Sequence, residues 1–239
     1  MKIDHVVQLV EDLDQAVANW KEMGFTVLPG GVHAGGLTHN ALVVFRDGSY
    51  IELIAFRTAS SQNHHWARFR GFWGPVDYAI SAPNLVSYVG ELMTHGLPYA
   101  NVSEGGRRRP DGIELQWRSS IPTDDTHGLP FFIDDVTDRA LRVPIQAANV
   151  VHTNGASGIA QIRVYVSSID VALGNFEALF GKGNAAGNTM SFELQGSRLC
   201  VTQPVVGSAE ALFLAKRGAG PMAVTIAAPV PIIVKPSAL

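Results

Sequence analysis

The feature that most constrains this 239-residue chain is that it repeats itself. Residues 3–24, IDHVVQLVEDLDQAVANWKEMG, align without a gap to residues 159–180, IAQIRVYVSSIDVALGNFEALF. Ile3 matches Ile159, Val10 matches Val166, Asp14 matches Asp170, Ala16 matches Ala172 and Asn19 matches Asn175. Each copy reads as a β-branched strand, a short polar break and an amphipathic helix. In the first copy Asp12 is placed to cap the helix, with Gln15 completing a capping box, and Leu13, Ala16, Val17 and Trp20 share one face. In the second, Ser168 takes the cap and Ile169, Ala172, Leu173 and Phe176 the face. A second pair repeats as well: residues 74–83, GPVDYAISAP, match residues 220–229, GPMAVTIAAP. A helix is expected after the first of these, capped at Asn84 and stopped at Gly96; after the second, Pro229, Pro231 and Pro236 exclude one.

The other segments read as strands. Residues 41–45 and 50–56 flank Asp47-Gly48, a hairpin signal. Residues 113–118 alternate apolar and polar, 130–133 form a short buried strand, and 190–194 and 199–203 flank the turn Gly196-Ser197. The resulting order is β-α-β-β-β twice, then a degenerate third module and part of a fourth. This predicts an α+β fold of repeated βαβββ modules, with residues 1–149 as a two-module domain and 150–239 as the degenerate remainder. A truncated module leaves a sheet edge, which the C-terminal tail covers or a homodimer pairs.

Composition narrows the function classes. A net charge of −3 gives no electrostatic reason to expect nucleic acid or an anionic membrane as partner. No apolar run is long enough to span a bilayer, and the start, Met1-Lys2-Ile3-Asp4-His5, lacks a signal-peptide core, so a cytoplasmic setting is expected. Cys200 is the single cysteine, which excludes a disulfide framework and a cysteine-based zinc site. There is no P-loop, no Gly-x-Gly-x-x-Gly after a strand and no Gly-x-Ser-x-Gly elbow.

The segments DHVVQLVEDLDQAV, PGGVHAGGLTHNALVVF, DGSYIELIAF, GGRRRPDGIELQW, LPFFIDD and HTNGASGIAQIRVYV together resemble the glyoxalase-like branch of the vicinal oxygen chelate superfamily. The resemblance implies curved mixed sheets around a cup, with metal ligands projecting inward from the first and fourth strands of each module. It places His5 and Glu52 at those positions in the first module and Asp77 at the first-strand position of the second; the fourth position, near residues 131–133, is apolar, with Asp134 beside it. Gln161, Cys200 and Ala223 stand at the matching positions of the C-terminal copies, so the first half is expected to work and the second to be scaffold. The implied function is a small-molecule enzyme, of lyase, isomerase or dioxygenase type, acting on a carbonyl or vicinal-oxygen substrate. A divalent metal (iron, manganese, nickel or zinc) is the implied cofactor. The alternative is a metal-free protein that binds and sequesters a small molecule.

The residues themselves carry part of this reading. Glu52 lies within the apolar run YIELIAF, where an unpaired carboxylate is costly, so it requires a partner; with His5 it forms the candidate catalytic pair. His33 and His39, in PGGVHAGGLTHNA, either border a pocket mouth or sit on a plain connection. Arg107, Arg109 and Trp117 are the substrate-binding candidates, because arginine binds a carboxylate or enolate through two donors; the competing reading is a simple turn at Pro110-Asp111-Gly112. Asp77 is alternatively a salt-bridge partner of Arg107, Arg108 or Arg109, and His64-His65-Trp66 reads as surface or linker.

Overall fold

The computed structural model describes residues 1–58, 64–124 and 127–237. The first module runs β1 (Lys2–Leu9), α1 (Leu13–Glu22), β2 (Leu28–His33), β3 (Thr38–Val44) and β4 (Tyr50–Phe56). After a short 3-10 turn, His65–Phe69, the second runs β5 (Gly74–Ser81), α2 (Leu85–Thr94), β6 (Ser103–Arg108), β7 (Glu114–Ser120) and β8 (Phe131–Asp135). Two one-turn helices, α3 (Arg139–Arg142) and α4 (Ala147–Val150), lead to the third module: β9 (Gly158–Tyr165), α5 (Ile169–Phe180), β10 (Asn184–Ala186), β11 (Thr189–Leu194) and β12 (Ser197–Thr202). The chain closes with α6 (Ala209–Arg217), β13 (Gly220–Ala227) and β14 (Ile232–Val234).

The first eight strands close into a barrel in the order β1-β4-β3-β2-β6-β7-β8-β5, and the last six form a sheet in the order β10-β11-β12-β9-β13-β14. This is the α+β fold of repeated modules. Strand register shows how the copies correspond. Antiparallel β1 and β5 pair His5 with Ala79 and Val7 with Asp77, the reciprocal pattern expected if Asp77 is the second module's counterpart of His5. Parallel β1 and β4 pair Val7 with Glu52, and β5 and β8 pair Ala79 with Phe131, so Phe131 is the counterpart of Glu52. In the second sheet Arg163 lies opposite Cys200 and Ala223, so those two occupy the places of Glu52 and Asp77.

The helices start where the sequence places them, with three differences in detail. Asp12 accepts from the Gln15 amide at 2.9 Å, but the Gln15 side chain turns to Asn19 instead of closing the capping box. Asn84 is left-handed (φ 59, ψ 43) and its side chain caps nothing; Asp134 Oδ2 lies 3.5 Å from the Leu85 amide instead. Asparagine tolerates that conformation because its short polar side chain lowers the steric penalty. Helix α6 lies in a stretch that the repeat pattern leaves blank, although Ser208, accepting from Ala211 at 3.1 Å, and Gly218, at φ 90, are ordinary start and stop signals. The glycine-rich stretch before His33 also forms a strand, β2, with a register shift between Pro29 and Gly31.

One continuous core joins barrel and sheet. Ile3, Val6, Leu53, Tyr78 and Ile80 from the barrel strands pack with Trp20 of α1 and Leu85 of α2, and the same cluster continues through Ile162, Val164, Phe176 and Val224. The tail returns to the body: the Ser237 amide donates to Trp73 O at 2.9 Å, and Pro236 packs so closely on Gly74 that a side chain there would collide at 2.5 Å. Inside the barrel, two apolar clusters flank a polar middle. Val7, Leu9, Ile54, Trp66 and Phe69 fill one side; Leu42, Val44, Val143 and Val150 fill the other.

Candidate active site

Period-two alternation in a closed barrel sends every second side chain inward. On β1 this turns His5 into the interior, on β4 Tyr50 and Glu52, on β3 Thr38 and Asn40, and on β6 Arg107; with His33 and Trp117 these residues line a cavity of about 330 Å³. His5 is held on three sides. Its ring stacks on Tyr50 with centroids 4.5 Å apart, meets Phe131 edge-on, and donates through Nδ1 to Asp4 at 2.7 Å. A carboxylate behind one ring nitrogen orients the other, and Nε2 accordingly faces Glu52 Oε2 at 3.5 Å.

Asp4 is wholly buried and survives as an anion because α3 reaches back to it. Arg142 donates to both Asp4 oxygens at 2.8 and 3.1 Å, to both Asp135 oxygens at 2.5 and 2.8 Å, and to the Tyr50 hydroxyl at 2.7 Å. Arg139 and Ser81 also donate to Asp4. Burial pushes the Asp4 pKa up, but the Arg142 charge and the bonds from His5 and Arg142 outweigh it and hold the carboxyl well below its ordinary range. Glu52 is treated alike. Burial acts to raise it; the hydrogen bond and charge of His33 (3.4 Å from Oε1), the charge of His5 and the bond from Asn40 Nδ2 bring it down to about 2.

Five of the sequence candidates therefore converge on one cavity: His5, Glu52, His33, Arg107 and Trp117. Three do not. Asp77 lines a neighbouring pocket, where it accepts from Trp66 Nε1 at 2.9 Å and from the Tyr78 amide at 2.8 Å, and burial raises its pKa to about 6. The alternative salt bridge of Asp77 to the 107–109 arginines does not form either. Arg107 turns to Asn40, and Arg109 pairs with Asp111 at 2.6 Å and bonds Leu141 O at 3.2 Å, away from the cavity. His39 alternates with Asn40 on β3 and leaves the interior. His64, His65 and Trp66 do lie in the connection between the two modules, and all three in addition line the cavity, with Trp66 buried and His65 exposed. The sequence reading passes over Asn40, Tyr50, Asp4 and Arg142. Tyr50 shares a strand face with Glu52, which period two alone could have shown; Asn40 lies on the opposite face of β3 from His39, the residue chosen there, and the Asp4–Arg142 pair, 138 residues apart, has no local signal.

The set His5, Glu52 and Asp77 does not fit a metal, because Asp77 points into the other pocket. Among the described residues no group of three or more His, Cys, Asp or Glu is arranged to hold one. No helix among them is long and apolar enough to cross a membrane.

Comparison with known proteins finds the following similar chains. A hypothetical protein from Staphylococcus aureus, 13% identical, superposes with a TM-score of 0.70 over 84% of this chain and 86% of its own. A xylose isomerase-like TIM barrel/4-hydroxyphenylpyruvate dioxygenase fusion protein, 15% identical, aligns over 94% of this chain and 36% of its own with a TM-score of 0.50. Methylmalonyl-CoA epimerase from Mycobacterium tuberculosis, 20% identical, aligns over 58% of this chain and 91% of its own with a TM-score of 0.46. No curated protein sequence matches the chain. A family model described as a glyoxalase-like domain matches residues 3–180. With two modules closed around one cavity and a third repeating their order, the chain belongs to the glyoxalase-like family of the vicinal oxygen chelate fold.

Proposed function

We propose that the barrel cavity is the active site of a small-molecule enzyme of the vicinal-oxygen-chelate type that moves a proton next to a substrate carbonyl, as a lyase or isomerase does. The observation that carries this reading is the buried Asp4–His5–Glu52 array, a carboxylate-oriented imidazole facing a second carboxylate across 3.5 Å in a cavity able to hold a small substrate. Acid–base work on a carbon acid needs a base on the C–H side and donors where the oxyanion develops. Glu52 takes the proton, and His5 Nε2 and His33 Nε2 lie on either side of it to shuttle that proton or steady the enolate. A carboxyl held at about 2 is a weak base while empty. A ligand that takes over the bonds from Asn40 or His33 strips that stabilisation and makes Glu52 more basic at the moment it is needed. A divalent metal remains the implied cofactor of the family; since the ligand set does not converge, these steps rest on side chains.

One observation favours a second reading. Phe131, Ile133 and Ile121 add an apolar part to the cavity lining, which suits a protein that sequesters a small apolar molecule. Deuterium exchange at the carbon next to the carbonyl, followed by NMR in heavy water over a panel of enolisable small carbonyl compounds, separates the two. The enzyme reading expects exchange that drops by about 100-fold or more in Glu52→Gln, the scale of one general base. No exchange, or exchange untouched by Glu52→Gln, contradicts it.

A further inference from the structure

Two arginines are buried in the barrel interior, and they are satisfied in opposite ways. Arg142 has two carboxylates and a phenol around its guanidinium. Arg107, at 5% exposure, has no carboxylate within ion-pair distance among the described residues, and its hydrogen bond there runs from Nη1 to Asn40 Oδ1 at 3.2 Å. Asn40 then donates through Nδ2 to Glu52. The amide therefore stands between a buried cation and a buried anion, accepting from one and donating to the other. The spacer keeps Arg107 from pairing directly with Glu52.

Space around the guanidinium is kept open by sequence. A Cβ on Gly30 would sit 1.9 Å from Asn40 Oδ1 and 2.5 Å from Arg107 Nη1, and one on Gly105 would sit 2.4 Å from Trp117 Nε1. Gly30 does not have positive φ, so room for the fork, and not backbone conformation, requires glycine there. Burial lowers the Arg107 pKa, as it must for a cation short of counter-charge, and the planar guanidinium matches a carboxylate through two parallel bonds. The other charges that act on it are those of Glu52, Arg142 and Arg109, with Glu104 exposed on the same cavity's rim. An acidic group at the rim discourages a second negative charge.

We infer that the substrate carries one carboxylate, bound by Arg107 and set in register by the Asn40 spacer, which makes it a small carbonyl monocarboxylate. This rests on the cavity being the active site proposed above. The test is binding, read by calorimetry without turnover, of matched pairs that differ in charge alone: acetate against acetamide, and pyruvate against pyruvamide. The wild-type protein is expected to prefer each carboxylate by about tenfold or more, and Arg107→Met to lose that preference, with Arg107→Lys between them. Gly30→Ala, which displaces the fork without removing it, is expected to reduce the preference too; thermal melts confirm that each variant is folded. Equal affinity for acid and amide, binding of neither in the millimolar range, or a preference that survives Arg107→Met overturns the inference. Glu52→Gln separates the two claims, because it removes a nearby negative charge and should bind the carboxylates no more weakly while abolishing exchange. Carboxylate preference without exchange sinks the proton-transfer reading alone; exchange without carboxylate preference sinks this one alone.

Discussion

The barrel and the second sheet grow from the same strand–helix repeat and part company in what their equivalent positions carry. His5, Tyr50, Glu52 and Asp77 of the barrel become Gln161, Arg198, Cys200 and Ala223 in the sheet, at matching register. The difference in environment is as large as the difference in residue type. Closure of eight strands takes His5 and Glu52 to 3% and 6% exposure, where each polar group must be answered by a neighbour. In the open sheet Arg198 is exposed and its pairing with Glu193 at 2.6 Å is a surface contact worth little. Burial raises the Cys200 pKa, which keeps it a thiol. The same fold element therefore encloses buried polar groups where it closes and carries exposed or apolar ones where it does not.

Changing both copies at one position tests the difference between barrel and sheet most severely. Glu52→Gln is expected to reduce exchange by about 100-fold or more, and Cys200→Ala to leave it within a factor of about two. Comparable losses from both would show that the sheet takes part. Next in size are the arginines. Arg142→Met leaves Asp4 and Asp135 short of their buried counter-charge and should cost about 3–5 kcal/mol in urea unfolding, whereas Arg163→Met on the open sheet should cost under about 1 kcal/mol.

Within the barrel, the two half-sites differ in how they respond to pH. Glu52 is lowered from 4.5 to about 2, so its stabilisation is complete above pH 4.5 and is lost as pH falls towards 2. Asp77 is raised from 3.8 to about 6, so the native state holds its proton longer than the unfolded chain does; its contribution is present below pH 3.8 and is lost as pH rises through 6. Each effect amounts to about 3 kcal/mol. Chemical denaturation across pH 2–8 should therefore show Glu52→Gln flattening the acid limb and Asp77→Asn flattening the decline between pH 4 and 6. An unchanged profile in Asp77→Asn would mean that the Asp77 carboxyl is not desolvated in the native state. The smallest effect concerns α2: Asn84→Gly, which relieves a left-handed residue that makes no cap, should stabilise by a few tenths of a kcal/mol in the same assay.

Most of the architecture is legible in the residues because it is local or repeated. The helix at 13–22 is specified by its cap and its apolar face, and the aligned segments 3–24 and 159–180 show that one unit is used more than once. The site is legible only as far as single strands allow. Glu52 identifies itself by being a carboxylate in an apolar run, and His5 by its place on the first strand. Asp77 looks equivalent by the same logic and is so in register, yet Trp66, arriving from the inter-module turn, takes its carboxylate into a separate pocket. No pattern along β5 encodes that. The same holds for Arg142, whose partners are Asp4 and Asp135 and whose role becomes visible once α3 folds back onto the barrel.

On the function proposed above, ligand chemistry belongs to the closed barrel and not to the sheet that copies it. Four of the eight histidines, His5, His33, His64 and His65, line the cavity, while His39, His95, His127 and His152 do not. Imidazole NMR signals of the uniformly labelled protein, titrated with pyruvate, read this distribution directly. Shifts at His5 and His33, with His95, His127 and His152 unmoved, are the predicted result. Unmoved His5 and His33 signals, with backbone shifts running along β9 and β12 instead, would contradict the account.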